Sequence, residues 1–333
     1  MSGASLNGDN WLTLLDPVQP PADLPVRADD PRLGQITMFR QTGPANLQPG
    51  QPVLIGFPVD EGVRRNHGRT GAAQAPFAIR RWLYRLATFD CRSGVSLEGN
   101  QLLDLGNVRA VGDLEETQDA LAEVVAAVLA RGAVPIVLGG GHETAYGHFL
   151  GYVRAARPVG IINIDAHLDV RPCADGLGTS GTPFRQALAH RSQALPGEYY
   201  VCIGAQAQYA SRDHFTFLQE RGGRVHWCNG SDFRAANLLE KECKRLAAAR
   251  RDIYLTVDAD SVRAADVPGV SAPNPLGLAA EDVAACMRLA GAMPSVSGVD
   301  LVEINPRSDR DDQSARWAAA GIWNFLVGVA ARK

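Results

Sequence analysis

Residues 161–172 read IINIDAHLDVRP, and this stretch decides the fold. Ile161, Ile162 and Ile164 make the apolar run of a strand buried on both faces. The run ends abruptly in Asp165, His167 and Asp169. Alternate side chains of an extended segment share a face and sit roughly 7 Å apart. Three ligand-type side chains therefore converge at the carboxyl end of one strand, where open α/β sheets keep their binding sites. A single aspartate there reads as solvated loop. Three polar groups beside a buried strand need a compensating charge.

Two further stretches repeat the pattern. Residues 252–261, DIYLTVDADS, are another apolar strand ending in Asp258 and Asp260. Residues 134–146, VPIVLGGGHETAY, are a strand, three glycines and then His142. A phosphate-binding turn is the alternative for such glycines. Neither GxxxxGK[ST] nor GxGxxG is present, and a histidine directly after the glycines suits a ligand better. The pooled candidates are His142, Asp165, His167, Asp169, Asp258 and Asp260. Hard carboxylates with a minority of imidazoles favour Mn²⁺ or a similar divalent ion over a thiolate-bound zinc. Four carboxylates overcharge a site with one dication. Two dications about 3.5–4 Å apart, sharing carboxylates, balance the charge and activate water at neutral pH.

GGGHE, NIDAHLDVRP, SGTPFRQAL, VDADS and VDLVEINP occur in this order. Together they resemble the arginase–agmatinase (ureohydrolase) family from about Gly56 to Ala319. Within it, GGGHETAYGH, SGTPFRQ and EGVRRNHGRTGA are most similar to the formimidoylglutamase subgroup. The resemblance implies a three-layer α/β/α fold around a mostly parallel, eight-stranded sheet. It also implies two Mn²⁺ per chain and hydrolysis of N-formimidoyl-L-glutamate to L-glutamate and formamide in histidine degradation. His142, Asp165, Asp169 and Asp258 would hold one ion; Asp165, His167, Asp258 and Asp260 would hold the other, with Asp165 and Asp258 bridging. Asp169 would carry the proton to the leaving amine, and Glu303, at the end of an apolar strand in 298–304, would grip the amidinium. Many relatives read H-G-x-P where this chain has Ser180-Gly181-Thr182-Pro183. The missing histidine argues against arginase or agmatinase activity. The rivals are a guanidino substrate on the same chemistry and a non-catalytic, metal-stabilised oligomer subunit.

Substrate contacts are less explicit. Residues 58–71 follow the first strand (53–57) and carry Arg65, Asn66 and Arg69; Arg171 lies two residues past Asp169. A substrate with two carboxylates suits the bidentate fork of arginine, so these four residues are the substrate-binding candidates. Residues 262–278, rich in proline and aperiodic, are expected to wall the pocket. Lone His214 and His226 read as structural or solvated.

With 333 residues, 46% hydrophobic, 21% charged and a net charge of −3, the chain can bury a large core and has no basic footprint for nucleic acid. Six cysteines without C-x-x-C spacing fit reduced thiols. No membrane-length apolar run or signal sequence is evident. These features predict a cytoplasmic protein with a small-molecule substrate and no membrane or nucleic-acid partner; assembly as a homo-oligomer is a separate expectation that they do not fix. The polar, proline-rich residues 1–50 read as an irregular lead-in, and 51–333 as one catalytic domain. Strand–helix alternation across the latter predicts a parallel sheet covered on both faces.

Overall fold

The computed structural model describes residues 9–332 apart from 25, 26, 28, 41–45, 100, 229 and 231. Eight strands form its parallel centre: β1 (Pro52–Gly56), β2 (Leu103–Val108), β3 (Val134–Leu138), β4 (Val159–Ile164), β5 (Tyr200–Ala205), β6 (Arg224–Trp227), β7 (Asp252–Asp258) and β8 (Val296–Val302). Their order across the sheet is β2-β1-β3-β8-β7-β4-β5-β6. Every neighbouring pair in that series is parallel.

The described sheet has ten strands rather than eight. The other two are short and come from the N-terminal lead-in: Leu15–Asp16, antiparallel to β2, and Met38–Phe39, parallel to it. Trp11, Leu12 and Leu15 are buried there, so the lead-in packs on the sheet's β2 edge. Residues 1–8 lie outside the described segment.

Strand alternation divides the core into two layers. Leu54, Ile162, Ile164 and Leu255 pack with α1 (Ala75–Leu83), α6 (Ala235–Ala248), α7 (Ala280–Ala292) and α8 (Gln313–Ala330). Val53, Ile55, Ile161 and Tyr254 face α2 (Leu114–Ala130), α3 (Thr144–Arg154), α4 (Pro183–Leu188) and α5 (Arg212–Glu220). Asp113 caps α2 by accepting the Glu116 N–H at 2.9 Å. The eight central strands point their carboxyl ends the same way, so the segments after β3, β4, β7 and β8 meet on one rim.

A buried polar knot fixes α1 against β2. Arg80 donates to both oxygens of Asp104, at 2.7 and 2.9 Å, to Asn107 Oδ1 at 2.6 Å and to the Gly106 carbonyl at 2.9 Å. The Tyr84 hydroxyl donates to the same aspartate. Gly56 is glycine because a Cβ would fall 1.9 Å from Asn107 Oδ1. The strand leading to the pocket wall thus lies directly on this pair. Removing one partner of a buried pair leaves an uncompensated charge, which costs about 3–5 kcal/mol. Arg80→Ala should lose that much in urea denaturation; a loss below about 1 kcal/mol would show that Asp104 finds another partner.

Candidate metal centre

The centre grows from three strand ends. β4 runs into Asp165, His167 and Asp169; β7 ends in Asp258 and passes into Asp260; the turn after β3 delivers His142. All six predicted side chains come together in two groups, His142/Asp165/Asp169/Asp258 and Asp165/His167/Asp260, whose ligand atoms lie within 4.8 Å of one another. His142 Nδ1 is 3.0 Å from carboxylate oxygens of Asp169 and Asp258 and 3.4 Å from Asp165 Oδ2. His167 Nδ1 is 3.3 Å from Asp260 Oδ2 and 3.5 Å from Asp165 Oδ1. Asp165 therefore turns one oxygen to each group. Asp258, expected in both, falls in the group with His142, Asp165 and Asp169, and its Oδ1 accepts the Asp260 N–H at 2.8 Å.

Neighbouring residues hold these side chains in place. Thr256 Oγ1 lies 3.1 Å from His142 Nε2, leaving Nδ1 turned into the carboxylates. The Asn163 amide donates to Asp165 Oδ2 at 3.0 Å, and the His167 N–H donates to Oδ1 at 2.7 Å. Tyr209 packs against the His167 ring, with centroids 5.2 Å apart. Asp169 and Glu303 have left-handed backbone, at φ 45° and 65°. Such conformations cost of order 1–3 kcal/mol each and cluster at functional sites.

Electrostatics identifies what the centre would hold. Burial, then repulsion from Asp260 and Asp165, pushes the Asp258 carboxyl well above the usual aspartate range. Burial lifts Asp260 to about 6, even with His167 beside it. Asp169 is raised by burial and by Asp165. Glu303 is raised well above the glutamate range by burial and by Asp258. Although burial opposes it, the surrounding carboxylates raise His142. Asp260 foremost does the same for His167. Asp165 alone is lowered, through its contacts to both histidines. His142 Nδ1, facing the carboxylates, and Asp260 Oδ1 are both buried without a hydrogen-bond partner. A ring of carboxylates around an unpartnered imidazole nitrogen fits hard divalent cations.

The four substrate-binding candidates divide. Arg65 is engaged with Glu115 at 2.6 and 3.1 Å, with Glu61 at 3.1 Å and with the Gly178 carbonyl at 3.0 Å. Asn66 donates to Ser180 Oγ at 3.1 Å. Arg69 donates to the Val270 and Ser271 carbonyls at 2.6 and 3.0 Å. These three tie the 58–71 turn to residues 178–180 on one side and to the 262–278 loop on the other. Arg171 is exposed and lies along Gly181, whose carbonyl accepts its backbone N–H at 2.8 Å, while its guanidinium has no hydrogen bond or ion pair among the described residues. Glu303 is buried, with Oε1 accepting the His142 N–H at 2.9 Å. His226 is structural: its Nε2 is 2.9 Å from buried Glu242.

Sequence reading missed Thr256, Asn163, Glu115 and Glu143. For the first two a signal exists. Each sits two residues before a predicted ligand on a buried strand, hence on the same face. Glu115 and Glu143 act across long sequence separations and leave no local signature.

Groups whose folded pKa is raised stabilise the fold at low pH, and that contribution is lost as pH climbs through the raised value. Six of the seven carboxyl and imidazole groups described above behave this way, so the metal-free centre should weaken the fold from about pH 4 upward, through the value of about 6 at Asp260. A dication takes the place of those protons, and its affinity rises with pH. The increase in Tm on adding Mn²⁺ to chelator-treated protein should therefore be larger at pH 8 than at pH 5.5. Equal increments at both values would contradict the site.

Comparison with known proteins agrees with this geometry. A sequence profile of the Arginase family matches residues 51–328. A formimidoylglutamase from Geobacillus thermodenitrificans is 38% identical over 297 residues, 88% of this chain and 89% of that protein. One from Chromobacterium violaceum is 39% identical over 294 residues, 86% and 90%. The crystal structure of Trypanosoma cruzi formiminoglutamase with Mn²⁺ superposes with a TM-score of 0.82 at 34% identity, covering 92% of this chain and all of that one. With a parallel sheet of this order, six converging ligand-type side chains and a profile spanning most of its length, the chain belongs to the arginase family.

Proposed function

We propose that this protein is a manganese-dependent amidine hydrolase that converts N-formimidoyl-L-glutamate to L-glutamate and formamide, a step of histidine breakdown. The observation that carries the proposal is the acidic two-histidine centre, in a chain 38–39% identical to two formimidoylglutamases over most of its length. His142, Asp165, Asp169 and Asp258 would hold one ion, and Asp165, His167 and Asp260 the other. Bound Mn²⁺ supplies a Lewis acid and activates water at neutral pH.

The chain's own residues supply the rest. Glu303 already spends Oε1 on the His142 N–H, and Oε2 remains for an amidinium N–H. A cationic group there offsets the burial and the repulsion from Asp258 that raise this carboxyl. Asp169 would take the proton of the attacking water and hand it to the departing α-amine nitrogen as the C–N bond breaks. The amidine carbon then leaves as formamide and the amine as glutamate. Arg171, with its donors uncommitted at the edge of the 170–182 loop, is suited to a substrate carboxylate. Arg65, Asn66 and Arg69 shape the wall. An arginine at the mouth is hostile to the cationic tail of agmatine, which disfavours the guanidino rival.

The direct test is a panel. Mn²⁺-loaded protein is assayed on formimidoylglutamate, arginine, agmatine and guanidinobutyrate, and formimidoylglutamate should have the highest kcat/KM. A guanidino substrate in first place would overturn the assignment. A charge-assisted hydrogen bond is worth roughly 1.5–3 kcal/mol. Arg171→Ala should accordingly lower kcat/KM for formimidoylglutamate about 10- to 150-fold, with a far smaller effect on agmatine. An equal loss on both would make Arg171 structural. Metal content gives an independent check. Asp165→Ala, which removes an oxygen from each group, should retain less than one ion per chain. His142→Ala should retain about one. Two ions in Asp165→Ala would refute the shared carboxylate.

A further inference from the structure

Glu143 directly follows His142, is buried, and is not used in the chemistry above. Its Oε1 accepts the Gly62 N–H at 2.7 Å, across 81 residues of sequence. Gly62 is the second residue of the five-residue helix Glu61–Arg65 that carries Arg65 and leads into Asn66. The second and third N–H groups of a helix are those an N-cap side chain normally takes. The residue in the cap position, Asp60, makes no such bond. Its Oδ2 accepts instead from Gly71 and Ala73, at 2.6 and 3.3 Å. The cap is thus supplied by a distant residue on the same turn as His142.

The packing around Glu143 is built for this contact. A Cβ on Gly62 would lie 2.5 Å from the Glu143 carboxyl carbon, and one on Gly141 would lie 2.1 Å from its Oε2. Both positions are glycine, so the carboxyl group is pressed between two backbones. Gln118 of α2 holds the backbone beneath it, donating to the Glu143 carbonyl at 2.7 Å. Beyond Gly62 the chain continues to Arg65 and Asn66, which pin residues 178–180. A continuous path therefore runs from the His142 turn through Glu143 to the loop that carries Arg171.

We propose that Glu143 is a positioning residue: a surrogate N-cap that locks the Glu61–Arg65 helix, and with it the substrate wall, to the turn bearing His142. The inference rests on the proposed site for the identity of that wall, but the contact itself does not depend on the substrate. The test is amide hydrogen exchange by mass spectrometry on Mn²⁺-loaded protein, with metal content recorded. Glu143→Leu removes the acceptor; Glu143→Asp keeps the charge but withdraws it by one methylene. Either variant should speed exchange in residues 61–66 about 10-fold or more, with faster exchange in 178–182 and no change in β4 and β7. Glu143→Gln, which retains a carbonyl oxygen at the same reach, should restore protection. KM for formimidoylglutamate should rise in Leu and Asp more than kcat falls. Unchanged exchange in 61–66, a uniform increase that includes β4 and β7, or no rescue by Gln would overturn the proposal. Faster exchange confined to the wall in a protein inactive on formimidoylglutamate would keep the cap and reject the substrate.

Discussion

Mutual repulsion among buried carboxylates is the constraint on which this structure depends. Asp165, Asp169, Asp258, Asp260 and Glu303 are held at one rim of the sheet, four of them largely removed from water. Such a set is unfavourable until positive charge enters it. Asp165 shows the arrangement most plainly: its two oxygens face two different histidines, with backbone and Asn163 donors fixing their directions. The fold tolerates the strain because each acid stands at or within five residues of the end of a strand buried on both faces. The ladders of β4, β7 and β8 set the spacing, and left-handed backbone at Asp169 and Glu303 turns their side chains inward.

The rim is completed by loops that hold one another. Arg65 and Asn66 bind the 178–180 segment, Arg69 binds the 262–278 loop, and Asn305 donates to the Arg69 and Thr70 carbonyls at 2.9 and 3.2 Å. Gln206 donates to the Leu276 carbonyl at 2.8 Å and anchors the same long loop from the other side. Polar side chains at the mouth therefore serve first as ties between walls. A pocket braced in this way presents a fixed shape to a small substrate, and pre-organisation of that kind lowers the ordering cost of binding.

The parts legible in the sequence are those governed by local period. Buried β-strands ending in D-x-H-x-D and D-x-D announce both the parallel sheet and the ligand cluster, because alternation places those side chains on one face. The same rule would have found Asn163 and Thr256. Illegible were interactions between segments far apart in the chain. Arg65 reads as a free cation in a basic turn, yet its partners Glu115 and Gly178 lie 50 and 113 residues away. The lead-in gave no periodicity, since its two strands are only two residues long and take their register from β2. That Asp258 falls in the His142 group and not in the His167 group depends on the direction of one carboxylate, which spacing does not encode.

Anomalous diffraction from crystals soaked in Mn²⁺ examines the central claim most directly. Two peaks should appear, one within coordination distance of His142, Asp165, Asp169 and Asp258, the other near His167, Asp260 and Asp165, with Asp165 between them. A single peak, or two peaks that share no carboxylate, would contradict a centre organised around that aspartate.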